Sequence, residues 1–242
     1  ATPSNYTNTT PNMETIWVRV EYNATGCYKL TELDLIVNPL PVLVQPDQLN
    51  LCDYNNPGDE QEAFTLEDAN AQILNGQTGI TLTYYDTQLG ADTADATAQI
   101  FSPYTNGPNP QTVYVRAEDN TTGCVNTITL DLRVNPLPSP VAPSPLVACD
   151  EDNDGIYSEF DLDSQTAGII NNEPNIVLSY HETQADAENG QNTLSSPYEN
   201  IVENVQTIYI RAENTLTGCY TIVTMDLVVE PSPEVPVNIP DY

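Results

Sequence analysis

The stretch Cys149-Asp150-Glu151-Asp152-Asn153-Asp154-Gly155 sets carboxylates at alternate positions before a glycine, and Asp161 follows twelfth in the count from Asp150. Oxygen donors at positions 1, 3, 5 and 12 of a loop, with glycine at 6 for a sharp turn, have the spacing of an EF-hand-type calcium loop. Asp150, Asp152, Asp154 and Asp161 are therefore the expected ligands, and calcium the expected cofactor. Two features depart from that pattern. Asp161 stands where a bidentate Glu is usual, and no helical periodicity flanks the loop, so it would be grafted on a β-domain. The alternative is a solvated acidic turn. A second copy, Cys52-Asp53-Tyr54-Asn55-Asn56-Pro57-Gly58-Asp59, has Pro57 in place of the third acid and one more residue before Phe64. Asp53, Asn55 and Asp59 should bind a cation more weakly or not at all. Zinc would need clusters of His or Cys, and the chain has one histidine.

The other reactive residues are five cysteines. Three end the tripeptide Thr-Gly-Cys, at Cys27, Cys124 and Cys219, spaced 97 and 95 residues apart, and two open the acidic stretches, at Cys52 and Cys149. Pairing each opening cysteine with the next Thr-Gly-Cys gives Cys52–Cys124 and Cys149–Cys219, with Cys27 bonded to an upstream repeat. Such loops would stabilise each unit by roughly 4 kcal/mol through chain entropy. Disulfides imply an oxidising, extracytoplasmic setting; five buried free thiols are the alternative.

These residues sit in a tandem repeat. Thr15-Ile-Trp-Val-Arg-Val-Glu21, Thr112-Val-Tyr-Val-Arg-Ala-Glu118 and Thr207-Ile-Tyr-Ile-Arg-Ala-Glu213 precede the tripeptides, and Val37-Asn-Pro-Leu-Pro41, Val134-Asn-Pro-Leu-Pro138 and Val229-Glu-Pro-Ser-Pro233 follow them. The expected organisation is the C-terminal part of a truncated repeat at 1–40, complete repeats at 41–138 and 139–233, and a linker at 234–242. Ile208, Ile210 and Ala212 alternate with Thr207, Tyr209 and Arg211, and Val223, Met225, Leu227 and Val229 alternate on the return, which predicts a hairpin of half-buried strands. Ile176–Tyr180 and Ile80–Tyr84 read as further strands, with short segments at Phe160–Leu162 and Phe64–Leu66. Helical periodicity is limited to Ser164–Asn171. The fold class is all-β: tandem immunoglobulin-like β-sandwich repeats joined by Pro-rich linkers, which act as semi-rigid spacers. Arg19, Arg116 and Arg211 are expected to form cross-strand ion pairs with Asp34, Asp131 and Asp226.

With 35 acids against 5 bases the net charge is −30, a field that repels phosphate backbones and anionic lipid. Nucleic acid is excluded as a partner. No apolar run is long enough to span a bilayer, so direct membrane insertion is not expected. Catalysis finds no foothold. His181 replaces Tyr85 of the preceding repeat and reads as a surface strand residue, and carboxylate pairs in so acidic a chain have no glycosidase significance. Sequons lie at Asn5, Asn8, Asn23 and Asn120, and Asp92-Thr93-Ala94 is similar to a Bacteroidetes O-glycosylation signal, which makes Thr93 a candidate acceptor.

The ordered set Cys-Asp-x-Asp-Asn-Asp-Gly, Phe-Asp-Leu, Ser-Pro-Tyr-x-Asn, Gln-Thr-Ile-Tyr-Ile-Arg-Ala-Glu, Thr-Gly-Cys and Val-x-Pro-x-Pro resembles the repeats of giant Bacteroidetes surface proteins. These are exported by the type IX secretion system and associated with gliding motility and adhesion. The resemblance implies immunoglobulin-like stalk domains on the cell exterior. The function expected is a structural and adhesive stalk or filament segment, rigidified by disulfides and calcium, and not an enzyme. Its partners would be neighbouring repeats, surface glycans or other cell-surface proteins. The alternative is a carbohydrate-binding accessory module, with Tyr84, Tyr85, Tyr180 and Tyr198 as a sugar platform.

Overall fold

A computed structural model describes residues 5–233; the expected linker at 234–242 lies outside the described residues. In chain order the strands are β1 (Met13–Glu21), β2 (Tyr28–Ile36), β3 (Leu49–Cys52), β4 (Ala63–Phe64), β5 (Ile80–Tyr85), β6 (Gln99–Ile100), β7 (Tyr104–Thr105), β8 (Gln111–Asp119) and β9 (Val125–Asn135). They continue with β10 (Leu146–Asp150), β11 (Ile176–His181), β12 (Val205–Asn214) and β13 (Tyr220–Pro231). Four short helices intervene: α1 (Asn70–Leu74), α2 (Gln88–Thr93), α3 (Thr166–Ile170) and α4 (Gln184–Asn189).

The all-β expectation is met, and the repeated tripeptide explains the hairpins. Gly26, Gly123 and Gly218 adopt φ of +72°, +71° and +74°, a left-handed conformation that glycine enters without a Cβ clash. The Gly N–H donates to the carbonyl of Tyr22, Asp119 or Asn214 at 2.8 Å in all three copies, reversing the chain. The threonine hydroxyl then accepts from the cysteine N–H, at 3.5, 3.3 and 3.3 Å. Each cysteine is thus held at the tip of a hairpin.

The described residues divide into two compact units, residues 5–49 with 63–133, and residues 50–62 with 134–233. In the second unit the sheet order is β10-β13-β12-β11, with β10 parallel to β13 and the other pairs antiparallel. The predicted inward faces are correct: Ile208, Ile210, Ala212, Met225, Leu227 and Val229 are all buried. Ile208, Ile210, Met225, Leu227 and Val229 pack with Phe160, Leu162, Ile169, Tyr180 and Tyr198. Phe160 and Tyr198 form an antiparallel bridge, which lays a second short β layer over the sheet.

In the first unit β1 pairs with β2, and a second sheet runs β9-β8-β5-β6. The small ladder β4-β7 repeats the Phe160–Tyr198 arrangement through Phe64 and Tyr104. No helix among the described residues is long and apolar enough to cross a membrane.

The arginines depart from expectation. The register opposes Thr15 to Asp34, Thr112 to Asp131 and Thr207 to Asp226, and each hydroxyl donates to its aspartate at 2.6–2.7 Å. Arg19, Arg116 and Arg211 instead pair with Glu21, Glu118 and Glu213, two residues on in the same strand. A spacing of fifteen residues did not fix the register, because the turn length sets which residues oppose.

His181 is fully buried, contrary to the surface position expected. Its Nδ1 lies 2.6 Å from the Gln191 carbonyl and its Nε2 2.8 Å from Ser179 Oγ. Burial is tolerable because both ring nitrogens have partners.

Candidate functional site

The geometry that stands out is a disulfide between repeats. Cys52 bonds to Cys219 across 167 residues of sequence, with Sγ atoms 2.07 Å and Cα atoms 5.6 Å apart. Neither expected pair, Cys52–Cys124 nor Cys149–Cys219, forms; Cys27, Cys124 and Cys149 are free thiols. The reason lies in the parallel register of β10 on β13. Cys149 stands opposite Glu230, while Cys219 precedes the other end of that twelve-residue strand. Such a strand is about 40 Å long, far beyond the ~7 Å a disulfide allows between Cα atoms. The Asp53 N–H likewise donates to the Asn135 carbonyl at the C-terminal end of β9, which begins just after Cys124.

Around Cys219 the second unit builds a layered stack. Arg211, nearly buried, donates through Nη1 to the carbonyls of Ala187 and Glu188, both at 2.9 Å, near the C-terminal end of α4. Its Nε meets Glu213 Oε2 at 2.7 Å. So fixed, its guanidinium carbon lies 3.5 Å from the centroid of the Tyr220 ring. Tyr220 opposes Glu213 in the hairpin, which puts its ring diagonal to Arg211. On Tyr220 rests Tyr54, two residues after Cys52, with centroids 5.6 Å apart and planes tilted by 60°. The Tyr220 N–H also donates to Tyr54 Oη at 3.3 Å. Burial, the largest influence, raises the Tyr54 hydroxyl pKa above the ordinary tyrosine value.

The same hairpin end recurs in the first unit. Arg19 pairs with Glu21 at 2.8 Å and lies 4.0 Å from the centroid of Tyr28. Val20, Glu21, Tyr22, Cys27, Tyr28 and Lys29 line an open groove of 450 Å³ there. The middle copy differs. Arg116 donates to the carbonyls of Ala91 and Asp92 near the end of α2, at 3.1 and 3.3 Å, but Val125 opposes Glu118 where the others have tyrosine. Helices α2 and α4 escaped the sequence reading. Their signal was present in the caps Thr87 and Thr183, which accept from the N–H groups of Gly90 and Asp186.

The acidic loops come next. Asp150, Asp152 and Asp154 each bring a carboxylate oxygen within 4.8 Å of the others. Asp150 is buried; its Oδ1 accepts from the N–H groups of Asn153 (2.6 Å) and Asp154 (3.3 Å), and its Oδ2 from Gly155 (2.7 Å). Burial pushes the Asp150 carboxyl up, but hydrogen bonds from Gly155, Asn153 and Asp154 outweigh it and hold the pKa below the usual value. The Asp154 charge raises the pKa of Asp152. Gly155, at φ +78°, lets the loop close against Asn204, whose N lies 3.1 Å from where a Cβ would stand.

Asp161 is not in this cluster. It caps the 3-10 turn Leu162–Gln165, accepting from the Asp163 N–H and from Ser196 Oγ at 3.2 Å each.

In the earlier loop Asp53 is buried, and its Oδ2 accepts from the N–H of Gly58 at 2.6 Å. Asn55 Nδ2 donates to Glu62, whose Oε1 also accepts from the N–H groups of Tyr54 and Asn55. Glu62, buried and absent from the sequence-based ligand set, is thus the second acid organising this loop. Asp59 turns away, accepting from Asn56 Nδ2 and the Gln61 N–H.

The proposed sugar platform does not exist as drawn: Tyr84, Tyr85, Tyr180 and Tyr198 are all buried. Tyr84 donates to the Leu66 carbonyl, and Tyr198 to Glu182. Thr93, the candidate glycan acceptor, is exposed at the end of α2, where its hydroxyl donates to the Leu89 carbonyl.

A model of the Flavobacterium inter-domain disulphide bond domain matches residues 1–41, 48–138 and 145–233. No curated protein shows significant sequence similarity to the chain. Among solved structures, Drosophila N-cadherin EC1-4 is similar at 13% identity and TM-score 0.25, over 89% of this chain and 57% of that one. An I-band fragment of titin is similar at 10% identity and TM-score 0.27, over 91% and 89%. The chain thus spans little more than half the length of the cadherin fragment. Scores this low carry no argument about function.

Proposed function

The chain belongs to the Flavobacterium inter-domain disulphide bond domain family, and from that premise we propose that it is a structural segment of a large secreted repeat protein. In this reading it forms part of a stalk or filament on the cell surface, stapled from repeat to repeat. The observation that carries it is the Cys52–Cys219 bond, which joins the opening cysteine of one matched repeat to the Thr-Gly-Cys cysteine of the next. A covalent link between successive repeats limits how far the chain can lengthen when a repeat opens under load, a use that suits an oxidising exterior. Adhesion, export by the type IX system and a part in gliding are the finer roles that the sequence resemblance suggests. Surface glycans or other cell-surface proteins would then be the partners of regions outside this segment.

Calcium belongs to the same proposal. Asp150, Asp152 and Asp154 fit a hard divalent cation because three like charges converge there, and Asp152 feels the charge of Asp154. A bound cation would relieve that repulsion and tighten the loop. Asp161, committed to its cap, is not needed as a ligand.

Peptide mapping of the oxidised chain without reductant tests the stapling. A peptide joining Cys52 to Cys219 is expected; recovery of Cys52 joined to Cys124 would defeat the reading. Calorimetry with calcium on the wild-type chain and on Asp152→Ala tests the metal, with binding expected only in the former.

A further inference from the structure

Each Thr-Gly-Cys cysteine is flanked by a residue that varies, the one just after it, and by an arginine, present in all three copies, diagonal to that residue. In the second unit these are Tyr220 and Arg211, and the incoming loop places Tyr54 on them. At the β1–β2 hairpin the first two layers are already assembled, with Arg19 over Tyr28 and Cys27 exposed beside them. Tyr28 and Tyr22 are 59% and 78% exposed, so a ring-sized face is open where Tyr220 carries Tyr54. Lys29 lines the same groove. Two of the chain's five bases therefore stand at one hairpin end of a protein of charge −30, complementary to a loop such as 52–62 that carries Asp53, Asp59, Glu60 and Glu62. At Cys124 the platform is missing, since Val125 offers no ring.

We propose that the arginine–tyrosine pair beside a Thr-Gly-Cys cysteine is a recognition platform for an aromatic residue placed two after the incoming cysteine. Cys27 and Cys219 are built to receive a Cys-Asp-aromatic loop, and Cys124 is built for a different one. The Cys149 loop, with Glu151 where the other has Tyr54, is not a ligand for such a platform. The inference rests on the stapling reading and adds what selects the partner. Its physical basis is that a ring set at a tilt against a ring already polarised by a guanidinium gains from both aromatic and cation–π attraction. Strand length and direction exclude the Thr-Gly-Cys cysteine of the same repeat but do not choose among those of other repeats.

The test uses the full-length oxidised chain, in which Cys52 and Cys219 are already bonded. The probe is a synthetic peptide spanning Asn50 to Glu62, its cysteine activated as a mixed disulfide with a pyridyl thiol. A protein thiolate attacks the peptide sulfur, the bond to the pyridyl sulfur breaks, and the pyridyl thiolate leaves and takes up a proton. Peptide mapping then counts the peptide on Cys27, Cys124 and Cys149, each normalised to its reactivity with a pyridyl disulfide of cysteine alone. The normalised preference for Cys27 over Cys149 should fall about three- to tenfold when the peptide carries Tyr54→Ala. The same fall is expected with the wild-type peptide on a Tyr28→Val chain. Equal preference for the wild-type and Tyr54→Ala peptides, with the Cys52–Cys219 peptide present in the map, would overturn the platform and leave the stapling intact. A map without that cross-linked peptide would overturn both.

Discussion

Pro57 deprives the Oδ1 of Asp53 of one of the two backbone donors that serve its counterpart in the next repeat. In the third repeat the equivalent oxygen of Asp150 accepts from the N–H groups of Asn153 and Asp154, and Pro57 occupies the place of Asp154. Proline has no N–H, and Asp53 Oδ1 is buried with no partner among the described residues. One substitution thus removes both a carboxylate and the backbone donor that braces its neighbour. Pro57→Asp should restore both, raising the number of calcium ions bound per chain by one in calorimetry. An unchanged stoichiometry would show that the loop around Asp53 lacks more than this residue.

Stapling has a measurable weight. Closing a loop of 167 residues stabilises the folded state by about 5 kcal/mol in the chain-entropy model, an upper figure where the unfolded chain keeps structure. Cys52→Ser should lower the denaturant midpoint of the second unit markedly and make it insensitive to reductant. Cys149→Ser, which removes a free thiol, should leave the midpoint unchanged.

The aspartate cluster predicts opposite pH responses for two neighbours. Asp150 has a lowered pKa in the fold, so its stabilisation is complete above the ordinary carboxylate pKa and is lost as pH falls through the lowered one. Asp152 has a raised pKa, so its protonated form is the one the fold favours, and stability declines as pH rises through the raised value. Without calcium at neutral pH, Asp152→Asn should therefore stabilise the unit and Asp150→Asn destabilise it. Thermal unfolding across pH, with and without calcium, distinguishes the two. Added calcium should reverse the advantage of Asp152→Asn.

His181 is a packing residue with two bonded ring nitrogens. His181→Ala leaves a cavity and orphans the Gln191 carbonyl, at a cost of about 3 kcal/mol. His181→Tyr should be far milder, because the second repeat holds a buried tyrosine, Tyr85, at the same place. Urea unfolding of the two variants gives the comparison, and equal losses would refute this account of the site.

The three arginines should not be equivalent. Arg211 is buried and serves two carbonyls of α4, so Arg211→Ala should cost about 3 kcal/mol through unmet acceptors and an unpaired Glu213. Arg19 has half of its side chain exposed, and Arg19→Ala should cost under about 1 kcal/mol. Chemical denaturation of both variants decides it.

The amino-acid sequence determined the repeat, the hairpins and their buried faces. Alternation at Ile208, Ile210 and Ala212 reports which side of a strand is apolar, and Thr-Gly-Cys encodes its own turn through one left-handed glycine and one threonine cap. It also marked Asp150, Asp152 and Asp154 as a group, because their neighbours in the chain are their neighbours in space. Partnership over long distances was settled only by the tertiary structure. Cys52 meets three Thr-Gly-Cys cysteines in the sequence, and the tripeptide itself does not choose between them. The choice falls to strand length and direction, which carry the two cysteines of a single repeat to opposite ends of β13. The same non-local terms gave Arg211 to the end of α4, buried His181 and the tyrosines, and set Ser196 on Asp161. Each outcome depends on which elements stack, a matter of packing that the order of residues along one strand does not contain.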